Sequence, residues 1–349
     1  MTTVRVNAST AYDIVIGAGL LDSCGELCAS VIKPCRVCIV SDDTVASLYL
    51  ERAERSLKQA GYEVVSFVFP HGEQSKNIRT VSDILEFAAE NRLTRTDAFV
   101  ALGGGVVGDA CGFAAATYLR GVRFVQMPTT LLSAVDSSVG GKTGIDLAAG
   151  KNLAGAFHQP SLVICDYATL DTLPPEIFAD GCAEVIKYGV INDRAFFYKL
   201  GDGIKNQIEY VIAECVKHKR DIVEEDEFET GSRKLLNLGH TVGHAVELCS
   251  SLEISHGSAV AIGMAIVMRA AVKEGLCPAG DLDALLALLE KEGLPVGCDY
   301  TAEQLAAVAT ADKKRSGNDI TLVIPFSIGD TRLQKIPVSE LRDFISKGL

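Results

Sequence analysis

DAFVALGGGVVGD, residues 97–109, decides the fold. Five of its first six residues are apolar, and the run is too short for a helix before three glycines interrupt it. That reads as a buried strand ending in a tight turn. The residues after the turn read as a helix, so the segment is a strand–turn–helix unit. Glycines at 103, 104 and 105 let the backbone approach a phosphate, and a helix N-terminus supplies oriented N–H groups and positive potential. Gly103, Gly105 and Gly108 also fit Gly-x-Gly-x-x-Gly, a pattern that is weak by itself. Upstream, RVCIVS at 36–41 and EVVSFVF at 63–69 read as strands, with helical spacing over 44–61 and 77–91. Downstream, 122–127 and 162–165 read as further strands. Strands alternating with helices predict a parallel sheet covered on both faces, an α/β Rossmann-like nucleotide-binding domain over 1–165. Beyond residue 166 the spacing turns helical over 174–200, 204–225, 232–252, 257–274, 281–292 and 302–312, and only 319–325 reads as a strand. The second domain, 166–349, is therefore expected to be mainly α-helical.

The 349 residues suit two domains at roughly 150 residues each. A hydrophobic content of 48% is enough for sizeable cores. The net charge of −12 argues against nucleic acid or an anionic membrane as the main partner, while allowing a local basic site. No apolar run reaches the ~18–20 residues of a membrane span, and MTTVRVN lacks a signal-peptide pattern, so a cytoplasmic protein is expected. The eleven cysteines lie in apolar stretches and read as free thiols. Cys35 and Cys38 form a Cys-x-x-Cys pair with no second pair to complete a metal site.

Four groups of residues can carry chemistry. Gly103 to Asp109 is the first; Glu73 and Lys76 follow the preceding strand at the edge where parallel sheets bind ligands. The second is a polar, glycine-rich loop with Asp136, Lys142, Lys151 and Asn152, suited to an anion. It contains Gly-Gly-Lys-Thr, but Asp136 stands where a nucleotide P-loop needs glycine. The third is a metal set. Three of the six histidines fall within 17 residues. His240 and His244 share a helix face at i, i+4, and His256 opens the next helix, so two or three nitrogens can converge on Zn²⁺ or a similar ion. Glu184, set among apolar neighbours, needs a buried partner and is a candidate carboxylate ligand. The fourth is the cation set Lys219, Arg233, Lys313 and Lys314, which suits a substrate with phosphate or carboxylate.

Together these strings resemble the 3-dehydroquinate synthases, within the sugar phosphate cyclases. The matching stretches are PHGEQSK at 70–76, GGGVVGDACGF at 103–113, YLRGVRFVQMPTTLLSAVDSSVGGKTGID at 118–146, KNLAGAF at 151–157, LPPE at 173–176, AEVIKYG at 183–189, LLNLGHTVGHAVE at 235–247, HGSAVAIGM at 256–264 and DKK at 312–314. The resemblance implies Glu184, His240 and His256 as ligands of one Zn or Co ion. It implies NAD contacts from Asp42, Glu73, Lys76, Gly104, Gly105, Val106, Asp109, Thr129, Thr130, Lys142, Lys151, Thr172, Leu173 and Glu176. Asp136, Lys142, Lys187, Lys219, Glu229, Arg233, Asn237 and His244 correspond to the catalytic set. Arg120, Asn152 and one of Lys313 or Lys314 join Lys142, Lys219, Arg233, Asn237 and His244 in contacting substrate. The wording departs from the family at Ser258, where Glu is usual, and over 176–181.

The implied activity converts 3-deoxy-D-arabino-heptulosonate 7-phosphate to 3-dehydroquinate and phosphate by transient oxidation, β-elimination, reduction and aldol closure, in a homodimer. An NAD-dependent, metal-containing polyol dehydrogenase shares the two-domain plan. The cations Lys142, Lys151, Lys187, Lys219 and Arg233, which a neutral polyol does not need, argue against it. Lys219 and Arg233, on the carboxylate side, disfavour a cyclase making an inosose or valiolone.

Overall fold

The computed structural model describes residues 1–311 and 318–349; Lys313 and Lys314 lie outside the described residues. The chain forms two compact units, Met1–Leu173 with Ile212–Phe228, and Pro174–Val211 with Glu229–Leu349.

The first unit is built on a seven-stranded sheet. Its strands are β1 (Thr2–Asn7), β2 (Ala11–Gly17), β3 (Arg36–Asp42), β4 (Glu63–Phe69), β5 (Ala98–Gly103), β6 (Arg123–Pro128) and, after a separate hairpin of β7 (Lys142–Leu147) and β8 (Gly150–Phe157), β9 (Leu162–Asp166). The order is β1-β2-β9-β6-β5-β3-β4, and only β1 runs antiparallel to its neighbour. The helices are α1 (Cys24–Ala29), α2 (Asp43–Val45), α3 (Glu51–Gln59), α4 (Ile78–Glu90) and α5 (Gly105–Thr117), with a π turn at Ala46–Leu50 joining α2 to α3. Alternation along the central strands explains the two-sided cover. Ala98, Val100 and Leu102 of β5 face a core shared with α1 and α3, whereas Phe99 and Ala101 face one shared with α4 and α5. The chain reverses its direction of travel across the sheet between β3 and β5. Open α/β sheets bind ligands beyond the carboxyl ends of the strands at such a point.

The second unit is helical. It contains α6 (Pro175–Asn192), α7 (Arg194–Leu200) and the first residues of α8 (Ile208–Glu225), whose remainder belongs to the first unit. It continues with α9 (His240–Cys249), α10 (His256–Lys273), α11 (Ala279–Lys291), α12 (Ala302–Ala311), an antiparallel hairpin of β10 (Asp319–Ser327) and β11 (Asp330–Pro337), and α13 (Leu341–Gly348). α10 is buried almost throughout and packs on α6, α9, α11 and α13. That matches its near-continuous apolar sequence. No helix among the described residues is long and apolar enough to cross a membrane. All eleven cysteines are free thiols.

Three local expectations change. The glycine-rich segment expected as a polar loop is the β7–β8 hairpin from Lys142 onward, because Thr143 and Ile145 alternate into the interior and Gly144 lies directly against Gly155. The helix expected over 174–200 breaks at Asp193, whose carboxylate accepts from Phe196 N–H and caps α7. The helix expected over 232–252 begins as a 3₁₀ turn, Ser232–Asn237, and restarts at His240 behind Gly239, whose φ is 78°.

Candidate active site

In the first unit the expected cofactor residues gather at the carboxyl edge of the sheet. Asp42 ends β3, Glu73 and Lys76 follow β4, Gly104 and Gly105 follow β5, Thr129 and Thr130 follow β6, and Thr172 and Leu173 follow β9. No side chain caps the first turn of α5. A Cβ on Gly104 would lie 3.1 Å from the Thr130 methyl, and one on Gly105 would lie 3.3 Å from Ser137 Oγ. The bare backbone keeps this turn open between Thr130 and Ser137. The buried Thr129 hydroxyl meets no hydrogen-bond partner among the described residues. A glycine cradle, uncapped N–H groups and an unsatisfied hydroxyl fit the pyrophosphate and ribose of a dinucleotide. Val106 continues the same turn of α5.

Around this turn runs a charged network. Lys76 Nζ lies 2.6 Å from Asp109 Oδ2 and donates to Asn152 Oδ1 at 2.6 Å. Asn152 N–H donates to Asp146 Oδ1. Burial works against the Lys76 charge, but Asp109 and Glu73 outweigh it and hold the ammonium above its ordinary pKa. Burial pushes the Asp109 and Glu73 carboxyls upward, against the pull of Lys76. Lys151 Nζ is 3.8 Å from Glu73 Oε1. Asp42 spends one oxygen capping α2 through Val45 N–H, and the Thr172 and Tyr49 hydroxyls lie 2.6 Å apart. Asp136 and the buried Lys219 form a close ion pair, and Lys219 also donates to the Asp136 carbonyl at 2.8 Å. Lys142 opens β7 and is exposed. Arg120 is not brought to this edge. It sits past the far end of α5, about 20 Å along the helix from the glycines, with φ at 70°.

In the second unit, three helices bring the metal candidates together. Glu184 lies in the middle of α6 and is 1% exposed. His240 is the first residue of α9, and His256 is the first of α10. Both imidazoles point Nε2 at the same carboxylate oxygen, Glu184 Oε1, at 3.4 Å for His240 and 3.5 Å for His256. The remaining ring nitrogens are also held. His240 Nδ1 lies 3.1 Å from the Leu238 carbonyl and His256 Nδ1 lies 3.5 Å from Glu247 Oε1. Burial drives His240 down to about 3, so it is neutral with a lone pair available. His256 also loses solvation, but Glu184 and Glu247 raise it to about 10, so a cation must displace its proton. One carboxylate and two imidazoles, each able to offer an atom within 4.8 Å of the others, fit a catalytic zinc-type ion that keeps a position open for substrate.

Lys187, one turn after Glu184, is buried and ion-paired with it. His244 stands beside the metal candidates, its ring centroid 5.4 Å from that of His240. Asn237 donates to Glu229 Oε1 at 3.1 Å. Arg233 is 1% exposed. Glu176 is exposed in the first turn of α6. Sequence reasoning did not single out Glu247. Its signal was there, an acid seven residues after His240 on a largely buried helix, but nothing in the sequence says that it faces His256.

Residues 66–180 match the family model for the 3-dehydroquinate synthase N-terminal domain, and residues 181–315 match that for the C-terminal domain. The chain belongs to the 3-dehydroquinate synthase family. A 3-dehydroquinate synthase of Streptococcus suis (strain 05ZYH33) is 44% identical over 345 residues, covering 97% of each chain. One from Enterococcus faecalis (strain ATCC 47077 / OG1RF) is 42% identical over 344 residues, covering 97% of this chain and 96% of its own length. Among solved structures, a 2-deoxy-scyllo-inosose synthase complexed with carbaglucose-6-phosphate, NAD⁺ and Co²⁺ superposes with a TM-score of 0.89 at 26% identity, covering all of both chains. A 2-epi-5-epi-valiolone synthase from Streptomyces hygroscopicus subsp. jinggangensis 5008 with NAD⁺ and Zn²⁺ gives 0.88 at 27%, covering 99% of this chain and 98% of that one. An NADH-dependent butanol dehydrogenase of Thermotoga maritima, at 14% identity and a TM-score of 0.67, shares the fold alone.

Proposed function

We propose that the chain converts 3-deoxy-D-arabino-heptulosonate 7-phosphate to 3-dehydroquinate and phosphate, using NAD and one divalent ion, Zn or Co, per chain. One observation carries the reading. Two histidines converge on a single buried Glu184 oxygen in a chain 44% identical, over nearly its whole length, to a 3-dehydroquinate synthase.

An ion held by Glu184, His240 and His256 would supply Lewis acidity to substrate hydroxyls, and NAD on the Gly104–Gly105 turn would supply a hydride acceptor and, once reduced, the matching hydride donor. The chain's own residues then have three tasks. Asp109 and Lys76 fix the α5 turn and hold Asn152 in place. Lys187 balances the Glu184 charge inside the apolar unit. Lys142, Lys151, Lys219 and Arg233, with one of Lys313 or Lys314, hold phosphate and carboxylate and orient the chain for closure. Oxidation at C5 acidifies the C6–H. Loss of that proton expels phosphate from C7, and the departing phosphate is itself basic enough to take it. Reduction at C5, ring opening and aldol addition complete the carbocycle. Asp136, Glu229, Asn237 and His244 are assigned to positioning and proton transfer in these steps. NAD contacts are assigned to Asp42, Glu73, Val106, Thr129, Thr130, Thr172, Leu173 and Glu176.

The protein is read as a cytoplasmic homodimer. Arg120 is compatible with the dimer reading: the family resemblance assigns it to substrate contact, while it lies about 20 Å along α5 from its own glycine turn. The test follows phosphate release and absorbance at 340 nm together, with NAD⁺ above enzyme but far below substrate. Many phosphates per NAD⁺ with no steady NADH are expected. NADH appearing one-for-one with substrate consumed would make the protein a dehydrogenase.

A further inference from the structure

Asp180 and Ser258 meet in space at the start of α10. α10 opens with the ligand His256 behind its N-cap residue Ser255, and the Ser255 side chain does not cap the helix. The acceptor comes from another helix. Asp180, on α6 one turn before Glu184, takes a hydrogen bond on Oδ1 from Ser258 N–H at 2.9 Å and another from the Ser255 hydroxyl. With its hydrogen given to Asp180, Ser255 Oγ is left as an acceptor 2.9 Å from the Ser258 hydroxyl, and Ser258 Oγ lies 3.5 Å from the same carboxylate oxygen. The backbones also touch. A Cβ on Gly257 would sit 2.0 Å from the Asp180 carbonyl oxygen, so only glycine allows this approach. The first turn of α10 is thus pinned to α6 on both sides of Gly257, one turn from the Glu184 carboxylate.

We propose that Asp180 is a positioning residue for the metal centre: by capping the first turn of α10 from α6, it sets where His256 Nε2 stands relative to Glu184. The proposal rests on Glu184, His240 and His256 holding the ion. Three physical reasons support it. The first turn of a helix carries N–H groups with no partner inside the helix and is held least firmly, and His256 is in that turn. A carboxylate there satisfies one of those groups and sits at the positive end of the helix dipole. Because the capping group belongs to the helix that bears Glu184, it ties two ligands together rather than merely stabilising one helix. Ser258 is the complement of this arrangement. With a short side chain at the third helical position, α10 has no acid of its own to reach back to Ser255, the reciprocal pairing a glutamate at 258 would make.

The test measures Zn²⁺ affinity by competition with a chromogenic chelator, alongside the thermal midpoint of metal-free protein and the visible spectrum of the Co²⁺ form. Wild type should bind one equivalent; if it binds none, the metal assignment fails and Asp180 is not at issue. Asp180→Ala should lose about tenfold in affinity, the low end for groups that orient metal ligands, and should alter the Co²⁺ bands. The metal-free midpoint should stay within a few degrees of wild type. Asp180→Ala/Ser258→Glu, which moves the acid onto α10 as a capping box, should recover most of the affinity. If Asp180→Ala does not fold, Asp180→Asn, of the same size and with a neutral acceptor, should show a smaller loss of about threefold, and the double variant is read beside it. Unchanged affinity and spectrum in the folded variant overturn the proposal, and so does a loss that Ser258→Glu fails to repair.

Discussion

His256 is gripped at both ring nitrogens, by Glu184 at Nε2 and by Glu247 at Nδ1. Glu247 is 2% exposed and on α9, so a third helix side chain fixes the ring's rotation and keeps Nε2 turned toward Glu184. A carboxylate at the far nitrogen of a liganding imidazole also raises its basicity. Glu247→Gln keeps the shape and a neutral acceptor but removes the charge. It is expected to weaken Zn²⁺ binding by roughly ten- to a hundredfold, as read by chelator competition, while far-ultraviolet circular dichroism stays that of wild type. Wild-type affinity in Glu247→Gln would mean that the contact does not support the ligand. The contrast with His240 and Glu184 shows what is legible at this scale. Three histidines in 17 residues and an acid in an apolar run announce themselves by type and spacing. Glu247 and Asp180 are ordinary acids on helices until packing turns one toward His256 and the other toward Ser258.

Elements were legible where burial imposed a pattern. β3, β5, β6 and β9 are covered on both faces, so each is a short apolar run that needs no tertiary knowledge to recognise. β7 and β8 were not, because glycine-on-glycine contact and a half-exposed surface erase the alternation. β11, with the sequence DTRLQKIP, is mostly exposed and exists through pairing with β10. The turn of that hairpin makes a testable joint. Arg194, at the start of α7, forms a bidentate pair with Asp281 of α11, and Asp281 also accepts from Ile328 N–H at 2.8 Å. Partial burial pushes the Asp281 carboxyl up, but the Arg194 bonds and the Ile328 N–H outweigh it, and the net pKa is lowered. A carboxyl depressed on folding stabilises the protein above its unfolded pKa of about 3.9, and that stability disappears as pH falls through the folded value. Arg194 is half exposed, which discounts the ion pair. Asp281→Asn should therefore cost about 1–2 kcal/mol at pH 7, measured by urea unfolding. The difference from wild type should shrink as the pH is taken below about 4. A pH-independent difference would assign the loss to packing instead.

At the scale of the molecule, the proposed ligands are far apart in the chain, at positions 184, 240 and 256, and only folding brings them within reach of one ion. An unfolded chain offers no such site, so the ion should bind the native state almost exclusively and its binding should appear as stability. The dependence has a fixed form. Above the dissociation constant, each tenfold rise in free Zn²⁺ adds about 1.4 kcal/mol, which is a rise of roughly 3–6 °C in the midpoint of a unit of this size. The transition to follow is the one that melts α6, α9 and α10. Calorimetry across a buffered series of free Zn²⁺ should therefore give a midpoint climbing linearly with the logarithm of concentration, and excess chelator should return it to a floor. His256→Ala should sit near that floor and respond weakly, because two ligands remain of three. NAD⁺ is the control: it should protect amides of residues 103–109 from hydrogen exchange and leave those of α9 and the start of α10 unchanged in metal-free protein. A midpoint indifferent to Zn²⁺, or an equal climb in His256→Ala, would show that Glu184, His240 and His256 form a buried ionic cluster of structural use only. The proposed chemistry would then have lost its Lewis acid.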